Sequence, residues 1–83
     1  MTDAASFAKL DRSQRVERLK EEGEYLGQRR HGGHQVHLYR MPGYFVEMYL
    51  RVGLNWVDAV EIAKNIEILT EYVPDLDQRD LFR

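Results

Sequence analysis

Three histidines stand at a three-residue spacing, His31, His34 and His37, and the H-x-x-H-x-x-H pattern invites a metal reading. Gly32-Gly33, between the first two, supplies the backbone freedom of a tight hairpin turn, which makes His31 and His34 cross-strand neighbours. Their Cβ atoms would then stand about 5 Å apart. His37 would lie roughly 10 Å further along the strand and point to the opposite face from His34. Catalytic zinc takes about three protein ligands, and two imidazoles with no local carboxylate fall short of that. His31 and His34 hold at most an adventitious ion, and no metal or cofactor is expected.

His37 also suggests acid–base chemistry. Set beside Glu47, with Tyr39 and Tyr49 close by, its imidazole would be oriented by a carboxylate, as general acid–base catalysis requires. The same pair is equally an ordinary cross-strand contact on a half-wet sheet face. No serine nucleophile elbow or phosphate-binding glycine loop completes a mechanism. The chain has no cysteine, which excludes a disulfide framework, a thiolate zinc site and a cysteine nucleophile. An enzyme is not expected.

Arginines and aromatics make the third constellation. Residues 29–51 hold Arg29, Arg30, Arg40 and Arg51 against the single acid Glu47, interleaved with Tyr39, Phe45 and Tyr49. Rings on a sheet can stack bases while guanidinium groups follow phosphates. Against this, the aromatic-rich signature of RNA-recognition strands is missing, and residues 54–83 carry seven acids and three bases. A partner protein fits the same groups. Tyr25, Tyr39, Tyr44, Phe45, Tyr49 and Trp56 are many rings for so short a chain, and an uncovered aromatic face marks an interaction site. The expected binding residues are Arg29, His37, Tyr39, Phe45, Glu47 and Tyr49, with Arg40 and Arg51 on the rim.

Elements must position these groups, and composition bounds them. The chain has 83 residues, 43% apolar and 31% charged, with a net charge of −2. That leaves room for one small domain, too apolar for a disordered tail and without the basic field that holds DNA unspecifically. Met1-Thr2-Asp3-Ala4-Ala5-Ser6 places an acid where a signal peptide needs a cationic start. Apolar runs reach only about three residues, as in Tyr44-Phe45-Val46, against the roughly 20 needed to span a bilayer. The expectation is a cytoplasmic protein of bacterial type, residues 1–8 loosely ordered and 9–83 one α+β domain.

Asp11 followed by Gln14 forms a capping-box pattern, so a helix starts there, with Val16 and Leu19 on its apolar stripe. Gly23 stops it, by tolerating the left-handed backbone. Residues 25–30 and 35–40 read as two strands around the Gly-Gly turn, and residues 44–52 as a third after Pro42-Gly43. If Val36 and Leu38 share a face with Val46, Met48 and Leu50, then Val36 lies near Met48 and Leu38 near Val46. The reverse face would collect His37, Tyr39, Phe45, Glu47 and Tyr49, and the apolar face would receive Val16, Leu19, Leu69 and Val73. A three-residue loop with Pro42 second is disfavoured in a type I turn, so that parity asks for a five-residue loop or a bulge.

Residues 54–63 support two readings. As a helix capped by Asn55, the stripe Ala59, Ile62, Ala63, Ile66, Leu69 and Val73 is clean, whereas either face of a strand includes an acid, Asp58 or Glu61. As a fourth strand, Val57, Val60 and Ile62 are stiff β-branched residues and close the sheet better, with Asn65 capping a shorter helix to Val73. The strand is preferred. Pro74 ends the helix either way, and an acidic tail follows.

Glu22-Gly23 before Leu26 and Arg29, then Val36-His37-Leu38-Tyr39, then Gly43-Tyr44-Phe45-Val46-Glu47 with Tyr49, resembles a group of short uncharacterised proteins of Bacteroidetes-type bacteria. The likeness runs on through Leu69, Tyr72, Val73, Leu76, Asp77, Asp80 and Leu81. It implies a fourth strand reached through an Asn-containing hairpin, from which Leu50-Arg51-Val52-Gly53-Leu54-Asn55 departs, and it implies no activity. The expected fold is a helix, an antiparallel meander of three to four strands, a C-terminal helix and a short tail. The expected role is an interaction or assembly module, a homodimer through its aromatic sheet face or an edge strand. Single-stranded nucleic-acid binding on the same face is the alternative.

Overall fold

A computed structural model describes residues 1–54 and 56–64. The chain runs α1 (Ala4–Ala8), α2 (Arg12–Glu22), β1 (Glu24–His31), β2 (His34–Met41), β3 (Tyr44–Arg51) and β4 (Val57–Ile62). The strands pair antiparallel in chain order, a four-stranded meander, so the α+β class stands and residues 57–62 are the fourth strand. The C-terminal helix, its Asn65 cap and the tail after Pro74 lie outside the described residues, as does Asn55. No helix among the described residues is long and apolar enough to cross a membrane.

The N-cap of α2 forms as its sequence dictates. The Asp11 carboxylate accepts from the Gln14 backbone N–H at 2.8 Å, and the Gln14 side chain accepts from the Asp11 N–H at 3.0 Å. Gly23 ends the helix for a different reason from the one expected. Its backbone is extended, φ −81°, and a Cβ there would sit 2.7 Å from the Leu19 carbonyl oxygen. Glycine is needed because the chain turns tightly against the last turn of α2, not because φ is positive.

The sequence sets residues 1–8 apart from the domain, yet Ala4–Ala8 forms α1 and places Phe7 in the core with no exposed surface. Thr2 anchors this segment: its hydroxyl and N–H donate to the Glu22 carboxylate at 2.7 and 2.6 Å, and its carbonyl accepts from the Tyr44 hydroxyl at 2.7 Å.

The β2–β3 register corrects the parity argument by one residue. Val36 lies opposite Tyr49, His37 opposite Met48, Leu38 opposite Glu47 and Tyr39 opposite Val46. The cause is the turn. Pro42-Gly43 alone joins Met41 to Tyr44, with Gly43 at φ 86°, the conformation that a type II turn asks of its third residue after proline. Hydrophobic patterning could not fix the register because both faces of this sheet bury apolar residues. On one face Phe7, Leu19, Met41, Val46 and Val60 are buried together, with Leu10, Val16, Tyr39, Met48 and Ile62 packed around them. On the other face Val36 and Leu38 have no exposed surface and pack with Leu26, Phe45 and Tyr49. Val16 and Leu19 therefore cover Val46 and Met41 rather than Val36 and Leu38. The expected Leu69 and Val73 contacts lie outside the described residues.

Candidate functional site

The correct register divides the expected binding residues between two faces. His37 and Tyr39 lie on the helix side, while Arg29, Phe45, Glu47 and Tyr49 lie on the reverse. His37 and Glu47 are therefore not a pair, and the acid–base dyad does not form.

On the reverse face Glu47 is buried, and its Oε2 accepts from Arg29 Nη2 at 3.1 Å and Nε at 3.3 Å. Both side chains are almost wholly withdrawn from water, at 7% and 5% exposure. The pair spans β1 to β3 across β2, lying over the Val36–Leu38 pair of side chains. Burial raises the Tyr49 hydroxyl above its ordinary value, and the Glu47 charge adds to the rise. Breaking an ion pair this well buried by removing one partner is costly.

On the helix side, Tyr25, His37 and Tyr39 form a ring cluster. Tyr25 stands edge-on to Tyr39 at 5.4 Å and tilted to His37 at 5.5 Å, and its hydroxyl meets His37 Nδ1 at 3.1 Å. Burial lowers the His37 pKa and raises that of Tyr39. Tyr25 remains half exposed, at 49%.

A third group gathers where the β1–β2 and β3–β4 turns meet, tied by the Val52 N–H donating to the Gly33 carbonyl at 3.0 Å. One carboxylate organises it. Asp58 Oδ2 meets His34 Nε2 at 2.7 Å and accepts from Arg51 Nε at 2.9 Å, while Oδ1 accepts from the Trp56 indole N–H at 2.9 Å. The Arg51 guanidinium lies over the Trp56 ring, 5.8 Å from its centroid. The His34 hydrogen bond is the largest influence holding the Asp58 carboxyl below the usual carboxylate range, with Arg51 and Trp56 adding to it. A bulge makes this possible. Tyr49 opposes Ala59 and Leu50 opposes Val57, so Asp58 is an extra residue turned out of the ladder toward His34. The acid that counted against a strand at this position is thus re-aimed. His31 is exposed opposite His34, and among the described residues no three His, Asp or Glu side chains could hold a metal ion.

The two sheet edges differ. Antiparallel pairing directs alternate residues' N–H and C=O groups away from the partner strand. On β4 these include the carbonyls of Asp58 and Val60. Both are occupied: Arg12 Nη1 donates to the first at 3.4 Å, and Arg15 Nη1 donates to the second. Arg15 also donates to the Ala8 carbonyl at 2.9 Å and stacks on Phe7, so α1 and α2 together close this edge. On β1 the two-residue turn makes His31 and His34 a hydrogen-bonded pair, and the alternation leaves the N–H and C=O of Gln28 and Arg30 directed outward. Among the described residues no strand pairs with them.

Comparison with family models, curated proteins and solved structures finds no match to this chain. The functional reading rests on the groups just described. Sequence inspection singled out the Arg29 and Glu47 side chains without the bond between them. It left Asp58, the hub of the turn cluster, as an obstacle to a strand. An acid two residues after the single tryptophan, in a segment of β-branched residues, was the signal available.

Proposed function

We propose that this chain is a small interaction module of the cytoplasm that assembles with copies of itself, through the open edge of its sheet and the rings beside it. The observation that carries the reading is the contrast between the edges: arginines of α2 occupy the outward carbonyls of β4, and β1 has no such guard among the described residues. An unpaired strand edge is a template for another strand, and main-chain hydrogen bonds supply the affinity in that mode of recognition. Tyr25, at 49% exposure, stands on this edge as an aromatic anchor with His37 beside it. A domain of 83 residues gains stability by removing such surface from water. The role is binding rather than catalysis. Sedimentation equilibrium across a concentration series tests it: mass rising from monomer to dimer is expected, and a monomer at every concentration overturns it.

A second reading follows from the turn cluster. Arg51 and Trp56, 50% and 55% exposed, form a stacked pair, and Trp56 with Arg12 lines a hollow of about 260 Å³. Guanidinium groups beside an exposed ring suit single-stranded nucleic acid. The single tryptophan makes the test direct. Oligonucleotide binding would quench Trp56 fluorescence in a strongly salt-dependent way, and unchanged emission at low salt rejects it.

A further inference from the structure

We infer that the turn between β3 and β4 docks on an anionic lipid surface, with Val52, Leu54 and Trp56 entering the headgroup layer. The inference goes beyond assembly through β1 and does not depend on it. Among the described residues, three of the five large apolar side chains that stand exposed fall in this turn: Val52 at 43%, Leu54 at 56% and Trp56 at 55%. Exposed apolar groups gathered in one place mark a protein or membrane contact. The turn is ordered without a partner. The Leu54 N–H donates to the Arg51 carbonyl at 3.3 Å, Gly53 holds φ 90°, and the Val52 N–H is tied to Gly33. Docking therefore has little backbone left to order.

The cations around the turn suit a phosphate-bearing surface. Arg51 lies over the Trp56 ring, Arg12 lines the hollow beside it, and Arg30 and His31 are exposed at the end of β1. Between Arg29 and Val57 the only acid is Glu47, which is buried. Asp58 is engaged by His34, Arg51 and Trp56, and Asp11 by its own helix cap. The net charge of −2 does not decide the matter, because salt screens charges beyond about 8–10 Å and leaves the local excess. Guanidinium and indole alone would suit nucleic acid equally. Val52 and Leu54 separate the two, since aliphatic side chains do not stack on bases and leave water only for an apolar medium. A lipid surface receives all of these groups at once: indole rings settle at the headgroup level, arginines meet anionic headgroups, and aliphatic side chains reach the acyl boundary.

Trp56 is the single tryptophan of the chain and reports on its own surroundings. The full chain is titrated at low salt with vesicles of phosphatidylcholine mixed with phosphatidylserine, and with vesicles of phosphatidylcholine alone. Trp56 emission should move to shorter wavelength on the mixed vesicles, return as salt is raised, and change little on the neutral ones. Leu54→Ser should weaken binding to the mixed vesicles at least about tenfold, because each methylene withdrawn from water is worth about fourfold. The Leu54 side chain is exposed, so circular dichroism and thermal unfolding of the variant should match the parent. No shift on the mixed vesicles overturns the inference, as does equal binding to neutral vesicles or a Leu54→Ser response equal to that of the parent. A response to an oligonucleotide with none to vesicles overturns it in favour of the nucleic-acid reading. Sedimentation without lipid tests assembly through β1 separately, so a failure of either reading is told apart from a failure of the other.

Discussion

At the level of single residues, the buried Arg29–Glu47 pair and the Asp58 cluster make different demands. Glu47→Leu removes one charge of a pair whose side chains are 7% and 5% exposed. Stability should fall by about 3–5 kcal/mol, measured by urea denaturation, and Arg29→Met added to it should recover most of the loss. Asp58 responds to pH instead. Its carboxyl is held below the ordinary range when folded, chiefly by His34, so it binds protons less readily folded than unfolded. Its contribution is present above the unfolded carboxylate pKa and is lost as pH falls through the lower, folded one. The Trp56 indole N–H resonance, bonded to Asp58, should therefore hold its position down through about pH 3.9, the ordinary value for an aspartate, and shift only in stronger acid. His37 shows the same dependence through the opposite charge change. Burial lowers its folded pKa, so the stability it confers by remaining neutral is present above its unfolded value and is lost as pH falls through the folded value. Its ring resonances should titrate below the ordinary histidine range.

Among the elements, the helix was legible and the sheet register was not. Asp11 and Gln14 are local signals, and they form the capping box that their spacing promises. The β2–β3 register depends on which face each strand buries, and Val36 and Val46 are both without exposed surface on opposite faces. Alternation identifies a face only when the other one is wet. Pro42-Gly43 held the information, as a two-residue turn with Gly43 at φ 86°. Leu38→Ala should cost about 2–5 kcal/mol whichever face it occupies, because the cavity term depends on burial. Gly23→Ala separates the two explanations of the helix stop. Its backbone suits alanine, yet the Cβ would approach the Leu19 carbonyl oxygen at 2.7 Å, so overpacking should destabilise it by about 1–3 kcal/mol in thermal unfolding. Gln28→Pro removes an outward N–H without touching the β1–β2 hydrogen bonds, and should abolish the proposed self-association in sedimentation while leaving the fold intact.

For the whole molecule, arginines of α2 occupy the β4 edge, and among the described residues no strand pairs with the β1 edge. The α2 helix contributes Val16 and Leu19 to the core and sends Arg12 and Arg15 to the β4 carbonyls, so packing and edge protection come from one element. The excess of rings suggests a partner surface, and the single aromatic face expected for it divides at the β2–β3 register. Among the described residues β1 is an edge strand, with Tyr25 and His37 beside each other on its helix side. Amide hydrogen exchange followed over a range of protein concentrations tests the central claim most directly. The outward N–H groups of Gln28 and Arg30 should exchange quickly in dilute solution and become protected as concentration rises, while Arg29, bonded to β2, stays protected throughout. Fast exchange at Gln28 and Arg30 at every concentration, or new protection along β4 instead, would contradict it.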